Sequence, residues 1–355
     1  FVSDFDSQRD TLSQSSSFFK KVIPLGFSSK ILLGKRGNTE ASVLMRFAFA
    51  INDSMKDDFL EDRININNAY IELIPSYTYT DTLAPFDFSV HKINNNWSLT
   101  EFTGDSLDNL SYENDDLSSN KNFTDSLYTF NLDNDLISSW IKFSIDTSLG
   151  KNFGIYYKPD MGTGKIIGFE AFTFTSTDAA KLKVIVEKPG SYIDTISGFI
   201  FGDVSAVKTE DPMNTTGKIV VQASSTLQSK LFFDLSTIPK NIIINRADLI
   251  IQEDTLNSVI GTGFGTNLSV YMITDADSNI VDESSGVILA ESANVFSANI
   301  TDIINFWYSG GENSGMIIRS ASIIDGLNLI ALKGSGYQVE SERPRLKIVY
   351  TSREN

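Results

Sequence analysis

The sequence predicts an all-β protein made of two tandem antiparallel β-sandwich domains, jelly-roll-like, with short helical turns at their edges. Three observations predict it. Short β-branched and aromatic runs bounded by turn residues dominate the chain, several of them recur in the same order in the two halves, and alternation within them marks one buried face.

Residues 1–20 are rich in Ser, Asp and Gln and read as a polar arm or tether, which either ties the protein to envelope components or adds to a neighbour's sheet. The first domain is expected over residues 21–188. Its strands are sought in Lys30-Ile31-Leu32-Leu33, Ser42 to Phe49, Ala69 to Leu73 and Phe86 to His91, separated by Asn, Asp, Gly or Pro. Two segments depart from the strand pattern. Asp135 to Trp140 is apolar at 136, 137 and 140, and Thr301 to Trp307 is apolar at 303, 304 and 307, which is helical spacing. Thr301 and Asp302 are expected to cap the second helix.

The second domain is expected over residues 189–355, because patterns of the first half return there. Ile66 to Ile71 returns as Ile244 to Leu249, and Phe88 to Ile93 as Leu268 to Ile273. Trp140 precedes Asn152-Phe153-Gly154 as Trp307 precedes Asn313-Ser314-Gly315, and Lys181 to Val186 returns as Arg345 to Tyr350. Strands share an alphabet, so one match means little, but four in register point to duplication. Lys188-Pro189-Gly190 fits the joint, since proline and glycine interrupt ladder pairing. In Lys181 to Val186 the lysines face water while Leu182, Val184 and Val186 face a core.

Composition narrows the function classes. A chain of 355 residues with 41% hydrophobic content can build sizeable cores, and its net charge of -16 opposes binding to nucleic acid or anionic lipid. Cysteine is absent, which removes disulfides, thiolate nucleophiles and sulfur-ligated metals, and no run of apolar residues is long enough for a spanning helix. The start at Phe1 rather than Met suggests processing or trimming, and any signal peptide or lipid-bearing residue would lie upstream of residue 1.

Lys230 to Pro239 followed by Ile244 to Leu249 resembles the characteristic stretch of the DNRLRE domain, in which a Leu-Arg-Phe-Asp-Leu-Ser, Ile-Pro strand precedes one built on Ser-Ala-x-Leu. Leu44 to Phe49 and Trp97 to Phe102 resemble it more loosely, and the closing Pro344 to Tyr350 also fits. Ala48 stands where the motif has aspartate and Phe232 where it has arginine. The resemblance implies tandem β-sandwiches similar to growth-factor propeptides, in a secreted or surface protein of bacteria or archaea. Seven Asp-Ser/Thr-apolar triplets resemble the O-glycan acceptor pattern of Bacteroidota surface proteins, with candidate acceptors Thr11, Ser54, Thr82, Ser106, Ser126, Thr195 and Thr255.

Candidate chemistry is sparse. His91 is the one histidine and lies in a strand-like run, its register partner being Tyr271, so a structural role is expected and no catalytic residue is assigned. Gly261-Thr262-Gly263-Phe264-Gly265 lacks the context and the Gly-Lys-Ser/Thr of a phosphate loop. Asp57, Asp58, Glu61 and Asp62 read as solvated loop charge, as do Asp115 and Asp116, with calcium as the minority reading and no other cofactor expected. Trp97, Tyr77, Tyr79 and Tyr308 are the candidate contacts for a carbohydrate or a protein partner, whereas Trp140 and Trp307 are core anchors.

These readings lead us to expect a non-catalytic structural or interaction protein of the cell envelope or extracellular surface, acting as a subunit or adhesive module of a larger assembly. Its partners would be other envelope proteins, further copies of itself, or glycans. The alternatives are a carbohydrate-binding module pair and, behind it, a carboxylate-based glycan-active enzyme.

Overall fold

The computed structural model describes residues 2–10, 12–80, 82–173, 176–263 and 265–352. The chain opens with β1 (Val2–Asp6) and β2 (Gln14–Lys20). There follow β3 (Lys30–Arg36), β4 (Thr39–Phe49), α1 (Asp53–Leu60), β5 (Asn65–Leu73), β6 (Pro75–Tyr79), β7 (Phe88–Lys92), β8 (Ser118–Phe123), β9 (Tyr128–Leu132), α2 (Asn134–Ile145), β10 (Ile155–Pro159), β11 (Ile166–Glu170), β12 (Lys181–Lys188) and the long β13 (Tyr192–Thr209). The remainder comprises β14 (Ile219–Gln222), β15 (Leu227–Phe233), β16 (Ile242–Gln252), β17 (Leu268–Asp275), β18 (Ile280–Val281), β19 (Val287–Ser292), β20 (Val295–Asn299), α3 (Thr301–Tyr308), β21 (Met316–Ser320), β22 (Leu329–Leu332) and β23 (Arg345–Ser352). The architecture is all-β, with two separate antiparallel sheets of 11 and 12 strands and minor helical turns.

The two sheets follow one pairing plan. In the first, β4 pairs with β3 and β10, β3 with β11, and β10 with β7, while β12 pairs with β5, β5 with β9 and β9 with β8. In the second, β15 pairs with β14 and β21, β14 with β22, and β21 with β17, while β23 pairs with β16, β16 with β20 and β20 with β19. Register agrees as well as order: Leu182 lies opposite Ile71 as Leu346 lies opposite Leu249.

Each sheet encloses its own core. Leu182 and Leu346 are both 0% exposed, and Trp140 and Trp307 are buried on α2 and α3 among the side chains of their own sheets. The turn before β10 is rebuilt before β21 in detail. Asn152 donates to the Phe47 carbonyl at 2.7 Å and accepts from Gly154 N–H at 3.0 Å; Asn313 donates to the Phe233 carbonyl at 2.8 Å and accepts from Gly315 N–H at 3.2 Å. Both glycines are left-handed, at φ 86° and 88°, where a side chain is disfavoured.

Local expectations are corrected in three places. Asp57 and Asp58 lie on helix α1, not in a loop, and Asp58 is buried, accepting from Arg63 Nε at 2.7 Å and Lys188 Nζ at 2.6 Å. Thr301 does not cap α3 with its side chain; its hydroxyl accepts from Ala247 N–H at 2.9 Å, and Asn299 Oδ1 receives the Thr301 N–H at 3.1 Å. Lys188-Pro189-Gly190 turns a hairpin, since Lys188 pairs with Tyr192, and the chain passes to the second sheet only after Thr209.

The reason for that late crossing is β13. Tyr192 to Gly198 pairs with β12 and Gly198 to Thr209 with β4, the latter pairing carrying a bulge at Ile200/Gly202, so β13 joins the two branches of the first sheet. In the second sheet the equivalent place beside β23 and β15 is filled from the other end of the chain. Strand β1 pairs with β23 and β2 with β15. Ile196 opposite Val184 corresponds to Phe5 opposite Ile348. Residues 2–20 are therefore an arm that completes the second sheet, and β13 is the matching arm that completes the first.

Candidate functional site at the junction of the sheets

Polar residues inside a protein need partners, and the rings proposed as contacts are placed by that requirement. Tyr77 and Tyr79 are buried on β6, where the first sheet meets the second. The Tyr77 hydroxyl accepts from Leu327 N–H at 2.9 Å and lies 3.3 Å from Asn328 Oδ1, to which it donates. Gln222 Nε2 donates to the Tyr79 hydroxyl at 3.2 Å and to the Leu327 carbonyl at 2.9 Å. Burial pushes the Tyr77 phenol pKa up and that of Tyr79 up to about 12, so both stay neutral. Both rings therefore contact the other half of the same chain.

Around them Leu25, Leu32, Ala41, Ile166 and Val207 from the first half close over Leu327, with Val259 and Ile324 against their edge. Backbone joins the sheets too: Thr262 N–H donates to the Thr78 carbonyl at 2.9 Å, and Thr78 N–H to the Thr262 hydroxyl at 2.9 Å. Gly261 is required here, because an added Cβ would sit 2.6 Å from the Tyr77 ring. The glycine-rich loop thus serves close packing at the junction. At its rim Asp325 Oδ1 accepts from Ser29 N–H at 2.7 Å and from the hydroxyls of Ser28 at 3.0 Å and Ser29 at 2.9 Å. No sequence motif announced this surface; its residues come from stretches far apart in the chain.

Trp97 is also buried. Its indole N–H donates to the Phe153 carbonyl at 2.8 Å and the Arg46 guanidinium lies over the ring at 4.1 Å, so neither face is open. Tyr308 is half-buried, accepting from Ile242 N–H at 3.2 Å and donating to the Pro239 carbonyl at 3.1 Å. Those bonds hold the turn before β16, and the ring does not form a row with the other three.

His91 is buried, with Nε2 2.7 Å from the Ser89 hydroxyl and Nδ1 3.0 Å from the Glu113 carbonyl, while Tyr271 at the matching position carries Arg319 at 4.0 Å over its ring. Asp116 Oδ1 accepts from Val90 N–H at 2.9 Å and Ser118 N–H at 3.0 Å, which ties a loop to β7. Asp203 on β13 is 5% exposed and accepts from Phe172 N–H at 2.8 Å; burial raises its pKa to about 6. Sequence inspection passed over Asp203, since its burial depends on β13 crossing between branches.

Among the described residues no group of three His, Cys, Asp or Glu side chains is arranged to hold a metal ion, and no helix is long and apolar enough to cross a membrane. Ser54, Thr82, Ser126, Thr195 and Thr255 are exposed, Ser106 is half-buried, and Thr11 lies outside the described residues. A groove of about 700 Å³ runs beside the arm, between Phe18, Leu256, Leu329, Tyr337 and Val339. No protein-family model matches this chain, and no curated protein matches it.

Proposed function

We propose that the protein is a non-catalytic structural or interaction subunit of an extracytoplasmic assembly, built from two DNRLRE-like β-sandwiches locked together as one body. The observation that carries this reading is the reciprocal use of arms. Each sheet is completed by a strand that precedes the other sheet in the chain, and the junction between them pairs its buried tyrosines, so neither module is an independent bead on a linker. A body of that kind keeps its surface loops at fixed separation, which suits a subunit that bridges partners. The exposed Ser54, Thr82, Ser126, Thr195 and Thr255 fit O-glycan acceptors of a surface protein. The carbohydrate-binding alternative gains no support from Trp97, Tyr77 and Tyr79, which present no open ring face.

Cross-linking on intact producing cells, followed by peptide mass spectrometry, tests the proposal. Links from surface lysines to envelope proteins, together with digestion by protease added outside the cells, are expected. Protection from that protease until lysis, or hydrolysis of a polysaccharide by the purified chain, would overturn it.

A further inference from the structure

We propose that the arm of residues 2–20 is an exchangeable strand donor whose intermolecular acceptor is a second copy of this chain: the arm of one copy seats on β23 and β15 of the next. The chain already contains one exchange. Arm 2–20 lies before the first sheet but completes the second, and β13 lies before the second sheet but completes the first. Two like units that trade arms close into a ring within one chain or open head-to-tail between chains. The arm makes the same ladder contacts in both arrangements.

The two arms differ in how firmly they are held. Strand β13 is inserted between β12 and β4 of the first sheet and buries Ile200, Val204, Ala206 and Val207. Arm 2–20 buries only Phe5 and Leu12 among its described apolar side chains. Its remaining grip is the backbone ladder and polar pairs: Arg345 Nε donates to Asp6 at 2.9 Å, Leu346 N–H to the Ser7 hydroxyl at 2.9 Å, and Ser335 N–H to the Ser16 hydroxyl at 2.9 Å. A strand held by ladder and polar bonds can exchange one copy's set for another's with little net change, whereas removing β13 would empty an apolar slot. The hinge is residues 21–29, where Leu25 enters the junction and Ser28 and Ser29 are clamped by Asp325. Closure within one chain wins in dilute solution because the tether keeps the arm at millimolar effective concentration, and exchange takes over when chains fold together at high concentration.

This inference deepens the subunit reading by naming a partner, yet rests on strand pairing alone. Failed exchange would leave the closed chain able to act as a subunit, and detected enzyme activity would leave the exchange untouched. The chain has no cysteine, so introduced thiols report without background. Ser17 and Lys230 lie opposite each other in the β2–β15 pair, within disulfide reach of adjacent strands. The double variant S17C/K230C, oxidised in dilute solution, is expected to close within one chain. Single variants S17C and K230C carrying different tags are then refolded together at high concentration, diluted and oxidised. About tenfold more S17C–K230C heterodimer is expected than from the same proteins folded apart and mixed dilute. D325A, which frees the hinge, is expected to raise that yield. If the double variant closes and co-refolding gives no more heterodimer than separate folding, the proposal is overturned. If the double variant does not close, the arm is not seated on β15 and the proposal falls with it.

Discussion

Replacing Asp203 with asparagine tests how β13 is inserted, because the predicted effect depends on pH with a defined sign. In the folded protein the Asp203 carboxyl titrates near 6, held up by burial, against an ordinary value of 3.8 in the unfolded chain. The folded state therefore binds its proton more tightly, and stability falls as pH rises from about 4 to about 6. Above that window the buried charge costs roughly 3 kcal/mol, at pH 5 roughly half of it, and at pH 4 roughly a fifth. The amide side chain of D203N would keep an acceptor for Phe172 N–H but bury two amide donors, at a cost of about 1 kcal/mol. D203N is thus expected to exceed wild type by about 2 kcal/mol at pH 8, to keep only a small part of that advantage at pH 5 and to lose it by pH 4. Urea unfolding at pH 4, 5, 6 and 8 measures the gap, with Trp97 and Trp140 reporting on the first half of the chain. A stability difference that stays constant from pH 4 to 8 would refute the assignment of Asp203 as a buried carboxyl under strain from desolvation.

Further outcomes concern the repeated turn and the junction. N152A and N313A each remove a donor to a strand carbonyl and an acceptor for a glycine N–H, and each is expected to cost about 1–3 kcal/mol in denaturant unfolding. Unequal effects, with one variant neutral, would mean that the two turns are not held alike. G154A is expected to cost more than G315A, because its Cβ would lie 2.2 Å from the Met45 carbonyl oxygen against 2.9 Å from that of Leu231, with positive φ at both. Thermal unfolding of the pair settles the order. Y77F leaves Leu327 N–H buried without its acceptor, so it is expected to destabilise the protein by about 1–3 kcal/mol and to speed amide exchange at Leu327 while leaving Leu182 protected.

Strand existence, side-chain facing and the doubled plan were legible in the chain because each is a short-range consequence of pleat geometry. Alternation in Lys181 to Val186 sends Leu182, Val184 and Val186 inward wherever that strand finally lies, and Arg345 to Tyr350 repeats the arrangement. Helical spacing around Trp140 and Trp307 placed α2 and α3 for the same local reason. Helix α1 was not legible, since its acidic residues hide the two apolar side chains, Met55 and Phe59, that it buries.

What only the tertiary structure decided is which strand neighbours which. Nothing in Gln14 to Lys20 states that its partner is Leu227 to Phe233, more than two hundred residues away, because backbone ladders are almost blind to side-chain identity. The same holds for Tyr77, Tyr79 and Trp97, whose amphipathic rings fit a contact surface or an interior equally well until a partner covers them. Residue pattern specified the faces of each strand. Chain topology then used the arms to close each sheet with the other repeat's strand, and so joined two like halves into one body.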